Sequence, residues 1–231
     1  MRLKDRIALI TGASRGIGAA VAKRFAAEGA HVVLAARTVG GLEEVDDAIR
    51  AAGGAATLVP LDLRQGEMID ALGASIYERF GRLDCLVGNA AILGSLSPLA
   101  HASPTEFDAI FQVNVTANYR LLRACDPLLR KSDAGRVVMV TSGAAAMPIA
   151  YWGPYASSKA ALEHITLTYA AEVASTPIRA NVIDPGAVRT RMRASAFPGE
   201  DAQSVPAPET VTEWFVRLCE SESPNGKRIH V

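Results

Sequence analysis

Cysteine is scarce in this 231-residue chain, and Cys85, Cys125 and Cys219 are odd in number and without metal-ligand spacing. A disulfide-built scaffold and a cysteine-rich metal cage are excluded, and reduced thiols of a cytoplasmic protein are the plain reading. An excess of one charge is equally lacking, since Lys plus Arg and Asp plus Glu each total 24. That balance gives no electrostatic reason to expect nucleic acid or an acidic membrane as partner. No apolar run reaches the ~18 residues that a bilayer span requires. The charged start, Met1-Arg2-Leu3-Lys4-Asp5-Arg6, leads straight into a strand-like run, which is not the pattern of a secretory signal. The four histidines form no constellation with carboxylates, so no metal is expected. Repeats and low-complexity stretches are absent, and no Pro/Gly/Ser-rich linker precedes residue 190. One domain over residues 1–231 is the expectation, with a loop at about 190–208 that carries three prolines from Phe197 to Pro208.

What is present is alternation within a chain that is 49% hydrophobic. Short β-branched runs at Ile7 to Ile10, His31 to Leu34, Ala56 to Val59 and Cys85 to Val87 are each followed by a helical stretch. Runs at Val137 to Val140, Ile178 to Ile183 and Arg228 to Val231 continue the series. Continuous apolar runs imply strands covered on both faces, as in a parallel sheet between helices. Ser103-Pro104-Thr105-Glu106 predicts a capped helix start, and Gly29 and Gly53 suit helix C-termini.

Thr11-Gly12-Ala13-Ser14-Arg15-Gly16-Ile17-Gly18 follows the first strand and opens the first helix. Glycines there permit a tight turn, and a helix N-terminus offers unpaired N–H groups to pyrophosphate. The spacing is Gly-x3-Gly-x-Gly rather than the usual Gly-x-Gly-x2-Gly. After the second strand, Ala36 and Arg37 stand where a carboxylate would favour NAD by accepting from the ribose 2′-OH. Guanidinium groups from Arg37 and Arg15 would instead meet a 2′-phosphate, so NADP(H) is expected ahead of NAD(H).

Tyr155 and Lys159 lie four apart in Tyr155-Ala156-Ser157-Ser158-Lys159, with Ser142 upstream. On a helix, the phenol and the ammonium share one face. A phenol ordinarily titrates near pH ~10. A fixed cation beside it favours the phenolate and suits it to exchange a proton with a carbonyl oxygen.

Taken together, these motifs resemble the short-chain dehydrogenase/reductase family over essentially the whole chain. The glycine loop, Asn114, Ser142, Tyr155/Lys159 and Asp184-Pro185-Gly186 occur in the family's order. Within the family, the stretches Pro127 to Gly135 and Arg189 to Pro198 are similar to a little-characterised bacterial group, the YciK-like oxidoreductases. The resemblance implies a Rossmann-like, doubly wound α/β fold with a mostly parallel seven-stranded sheet and helices on both faces. It also implies hydride exchange between nicotinamide and a small-molecule carbonyl or alcohol. Tyr155 would be the general acid, Lys159 would lower its pKa and bind the nicotinamide ribose, and Ser142 would orient the carbonyl. Asn114 would interrupt its helix and hold a water that links Lys159 to solvent. Gly12, Ser14, Arg15, Gly16, Ile17 and Gly18 would cradle the phosphates, and Arg37 would meet the adenosine ribose. Asp62 and Leu63 would border the adenine, and Asn89 and Ala90 would flank the cofactor. Pro185, Gly186, Val188 and Thr190 would hold the carboxamide. Self-association as a homodimer or homotetramer would pair helices such as Ser103 to Arg130 and Tyr155 to Ala174.

Three departures stand out. The family's Asn-Asn-Ala-Gly is here Gly88-Asn89-Ala90-Ala91, the stretch from Thr190 to Pro208 is short, and the glycine-rich tail of many members has no counterpart. Among other residues, His164 reads as a surface or interface histidine. Trp152, Tyr151, Met147, Met192 and Phe197 are readable either as pocket wall or as packing. The competing function is a dinucleotide-binding sensor or scaffold without catalysis, against which the intact Asn114, Ser142, Tyr155 and Lys159 set argues. An epimerase or dehydratase would also use a Tyr/Lys pair, but usually with a larger C-terminal substrate domain.

Overall fold

A computed structural model describes residues 1–231. Seven strands, β1 (Ile7–Thr11), β2 (His31–Ala36), β3 (Ala55–Pro60), β4 (Cys85–Gly88), β5 (Arg136–Val140), β6 (Arg179–Asp184) and β7 (Arg228–His230), form one sheet. Their order is β3-β2-β1-β4-β5-β6-β7 and every pairing is parallel, so the sheet is wholly rather than mostly parallel. Apolar runs cause this. Along β1 and β2 the inner residues are buried on both faces, with Ile10 and Leu34 in one core and Leu9 and Val33 in the other. Helices α1 (Gly16–Ala27) and α2 (Val39–Ala51) cover the first face, through Phe25, Leu42 and Ile49. Helix α3 (Gly66–Phe80) and the later α5 (Ala117–Leu129) and α6 (Gly153–Glu172) cover the second, through Leu72, Leu121 and Leu162. Burial of each such Leu or Ile side chain stabilises the fold by about 1.5–3 kcal/mol.

Order reverses between β1 and β4, which pair directly although β2 and β3 intervene in sequence. Crevices outside the carboxyl ends of strands at such a switch point are where ligands bind in open α/β sheets. Asn89 stitches the two strand ends, its side-chain amide donating to Thr11 O at 2.9 Å. The backbone N–H groups of Asn89 and Ala90 donate to the Thr11 hydroxyl, each at 3.1 Å.

Some local expectations are corrected. Pro104 opens α4 (Pro104–Phe111), but the Ser103 side chain makes no capping bond. Glu106 reaches across instead, accepting from the Ser95 N–H and hydroxyl at 3.0 Å each and anchoring the loop after β4. Between α4 and α5 the backbone widens into a π-turn at Gln112–Thr116. The stretch from residue 190 to 208 is more than loop, since it carries helix α7 (Arg191–Ala196). Helix α8 (Thr212–Cys219) then packs Phe215 and Val216 into the first core. No helix is long and apolar enough to cross a membrane.

Candidate active site

A cleft of about 900 Å³ opens at the carboxyl ends of the strands. Its floor is the turn from β1 into α1. Gly12 (φ 65°) and Gly16 (φ 56°) adopt left-handed conformations that favour glycine. A Cβ on Gly12 would also sit 2.9 Å from Asn89 Nδ2. No side chain caps α1, so its first-turn N–H groups are left for an anion. Ser14, Arg15, Gly16 and Ile17 line the cleft with Arg37, Asp62 and Leu63. Arg15 and Arg37 are exposed and make no ion pair, whereas Asp62 is held by Arg64. That contact holds the Asp62 carboxyl below its usual range, with Arg37 adding a smaller pull.

Gly18, expected among the phosphate-cradling residues, does not face the cleft. It is buried, and a Cβ there would overlap the Gly12 carbonyl and Asn89, so its role is close packing of α1 against the strand ends. Asn89 and Ala90 line the opposite wall with Ala91. At Gly88 a Cβ would run into Met139 Sδ and Asn118 Oδ1. Met139 therefore fills the space that a side chain at 88 would take, and no void follows from the missing amide. Pro185, Gly186, Val188 and Thr190 complete the cleft, with Thr190 Cγ2 3.3 Å from where a Cβ on Gly16 would lie.

Ser142 follows β5, and Tyr155 and Lys159 stand on successive turns at the start of α6. All three line the cleft. Lys159 has only 1% of its surface exposed, and its ammonium donates to Val140 O at 2.8 Å. It lies 5.8 Å from the centre of the Tyr155 ring. Burial lowers Lys159 to about 8, while Glu163 one turn on acts upward. Burial pushes Tyr155 up to about 12, against the neighbouring Ser142 hydroxyl and with Asp184 adding to the rise. This differs from the expectation of a phenol acidified by Lys159: in the protein alone, burial sets the direction of the shift.

Asn114 is fully buried in the π-turn and does not line the cleft. Its side-chain amide donates to Ile92 O and Ser158 Oγ at 3.0 Å each, and its Oδ1 accepts from Ile92 N at 2.9 Å. The Asn114 carbonyl accepts from Asn118 Nδ2 at 2.9 Å. Asn114 thus fixes the loop after β4 and, through Ser158, the first turns of α6.

Trp152 lines the cleft, its ring centre 5.9 Å from that of Tyr155 and 5.8 Å from that of Phe197. The Arg193 guanidinium covers the Phe197 ring at 3.8 Å and pairs with Glu200. Met192 also lines the cleft, whereas Met147 and Tyr151 are exposed outside it. His164 is exposed on α6, away from the cleft. Sequence reasoning placed Thr11 in the glycine motif without its hydroxyl's role as acceptor for Asn89 and Ala90, and it missed Glu163, Arg228 and His230, for which no local motif gave a signal.

A family model for short chain dehydrogenases matches residues 6–201. The uncharacterised oxidoreductase YciK of Escherichia coli K12 is 38% identical over 224 residues, spanning 96% of this chain and 88% of its own length. Among solved structures, a short-chain dehydrogenase from Pseudomonas syringae superimposes with a TM-score of 0.96 at 40% identity, covering 99% of this chain and 95% of that one. One from Shigella flexneri 2a, complexed with NADP, gives a TM-score of 0.96 at 37% identity, covering 99% and 98%.

Proposed function

This chain belongs to the short-chain dehydrogenase family, and from that premise we propose an NADP(H)-dependent oxidoreductase that interconverts a ketone or aldehyde and an alcohol. The observation that carries the reading is the convergence of Ser142, Tyr155 and Lys159 on the cleft that the glycine turn floors. The residues present fit a dinucleotide with a 2′-phosphate. The uncapped α1 N-terminus would hold the pyrophosphate, the left-handed glycines would leave it space, and Arg15 and Arg37 stand unpaired to meet the 2′-phosphate. When bound, that dinucleotide supplies or accepts the hydride.

Tyr155 gives its proton to the carbonyl oxygen as negative charge develops there, and Ser142 orients that oxygen by hydrogen bonding. A phenol raised to about 12 stays protonated at neutral pH, which suits the reductive direction. Lys159, lowered to about 8, changes protonation close to working pH, and in this reading it restores the proton to the phenol. Trp152 and Phe197 supply an apolar wall beside the phenol for the carbon skeleton of the substrate.

Incubation with NADPH and a panel of ketones and aldehydes, followed by absorbance loss at the nicotinamide band, tests the reading. At least one carbonyl consumes NADPH faster than the blank. Flat traces across aliphatic, cyclic, aromatic and thioester carbonyls count against it. For cofactor choice, Arg37→Asp raises the Michaelis constant for NADPH by roughly 10- to 100-fold and that for NADH much less. Equal changes for both cofactors contradict the assignment of Arg37 to the 2′-phosphate.

A further inference from the structure

Strand β7 pairs in parallel with β6, so that Arg228 lies opposite Val182 and His230 opposite Asp184. From there Arg228 reaches three groups at the back of the cleft. Its Nε donates to Glu163 Oε1 at 3.0 Å, the oxygen that also accepts from the Thr141 hydroxyl at 2.6 Å. A terminal nitrogen donates to Asp184 Oδ2 at 3.2 Å and to the Ser142 carbonyl at 3.3 Å. His230 Nδ1 shares Asp184 Oδ2 at 3.1 Å, while Asp184 Oδ1 accepts from the Gly186 N–H at 3.1 Å. The carboxylates are shielded, with 15% of the Glu163 side chain and 3% of the Asp184 side chain exposed. Glu163 stands one helical turn beyond Lys159, as Lys159 stands one turn beyond Tyr155.

We propose that Arg228 is a positioning residue of this active site, holding the Ser142 carbonyl in place and screening Glu163 and Asp184 from Lys159 and Tyr155. The inference rests on the reading of those two residues as proton-transfer groups. The charged and titratable groups around them are Glu163 on α6, Asp184 at the end of β6, Arg228 and His230 on β7, and Arg189, Arg191 and Arg193 across the cleft. Helix α4, packed against α6, carries Glu106, which is held by Ser95, and the exposed Asp108, while the carboxyl half of β5 and the π-turn contribute only neutral groups. Glu163 acts upward on Lys159 and Asp184 upward on Tyr155, so both carboxylates oppose a relay poised near neutral pH. Buried carboxylates without a partner act over several ångströms at low dielectric, and a guanidinium fork across both removes most of that field. Removing the fork also removes a cation near Lys159. Both changes move the lysine in the same direction, upward.

The titration of Lys159 tests this without turnover. The chain has five lysines, Lys4, Lys23, Lys131, Lys159 and Lys227, so ε-carbon 13C labelling gives a small set of resonances. That of Lys159 is assigned by its loss in Lys159→Arg. In Arg228→Gln the Lys159 midpoint rises by about one pH unit. Adding Glu163→Gln to Arg228→Gln removes the unscreened carboxylate and returns the midpoint toward that of the parent protein, a reversal that a purely structural role does not produce. Arg228→Lys, which keeps a cation but loses the fork, moves the midpoint up by less than half as much, and it carries the test if the glutamine variant does not fold. A midpoint unmoved in a folded Arg228→Gln, or raised equally with and without Glu163→Gln, overturns the proposal. So does an unmoved midpoint in Arg228→Lys where only that variant folds. Failure of the parent protein to reduce any carbonyl counts against the enzymatic reading and leaves this titration unaffected.

Discussion

At the scale of the residue, Lys159 carries a cost of burial. Its ammonium is buried with one backbone carbonyl as hydrogen-bond partner, and its pKa falls from 10.5 to about 8. A folded-state value below the unfolded one means that the folded protein binds fewer protons between those two values. Stability therefore rises with pH across that window, and the full penalty is present below about pH 8. Lys159→Met removes the penalty and loses one hydrogen bond. The expected result at pH 7 is a gain of roughly 2 kcal/mol, or about 5 °C in Tm, with loss of turnover. Calorimetry at pH 7 and pH 10 checks it: the gain shrinks at the higher pH, and a variant less stable than the parent at pH 7 contradicts the account. The spacing of Tyr155 and Lys159 was legible in sequence because a helix brings positions four apart onto one face. The direction of the Tyr155 shift was not legible, because desolvation depends on how the folded chain buries the phenol beside Ser142 and Trp152.

At the scale of the element, the turn from β1 into α1 shows how one glycine-rich string divides its labour. Gly12 and Gly16 serve the backbone conformation of the cleft, whereas Gly18 serves the contact between α1 and the ends of β1 and β4. A methyl group at Gly18 meets the Gly12 carbonyl, which is backbone and has little freedom to retreat. Gly18→Ala accordingly costs about 3 kcal/mol and lowers the urea midpoint with an unchanged m-value. A midpoint equal to that of the parent contradicts the packing role. The motif reading grouped all three glycines as phosphate-cradling because spacing alone does not tell which Cα faces the cleft and which faces the strands. Helix α7 was read as loop for a related reason. Six residues between Thr190 and Phe197 carry too little periodicity, and Trp152, the ring against which Phe197 is seated, comes from a distant chain position.

For the whole molecule, seven strands were legible from their apolar runs, since a parallel strand covered on both faces needs continuous rather than alternating hydrophobicity. Their order, with β1 beside β4, places the glycine turn opposite Asn89 and thereby creates the cleft. Zero net charge hides a local asymmetry. Arg15, Arg37, Lys159, Arg189, Arg191 and Arg193 line the cleft, against only Asp62 and Asp184, both of them already paired. A bulk charge count gave no electrostatic reason to expect nucleic acid and no sign of this cationic pocket, which suits a ligand bearing several phosphates. Nor did any motif mark Arg228, whose partners Glu163 and Asp184 lie 65 and 44 positions away in sequence. The central claim is that Tyr155 delivers the proton while bound NADPH delivers the hydride. NADPH carrying deuterium at the transferred nicotinamide position, incubated with a carbonyl that the parent protein reduces, measures it most directly by mass spectrometry of the alcohol. Deuterium appears on the former carbonyl carbon with the parent protein. It is absent with Tyr155→Phe, although NADPH fluorescence titration gives a Kd within about threefold of the parent's. Deuterated alcohol formed at the parent rate by Tyr155→Phe contradicts the account.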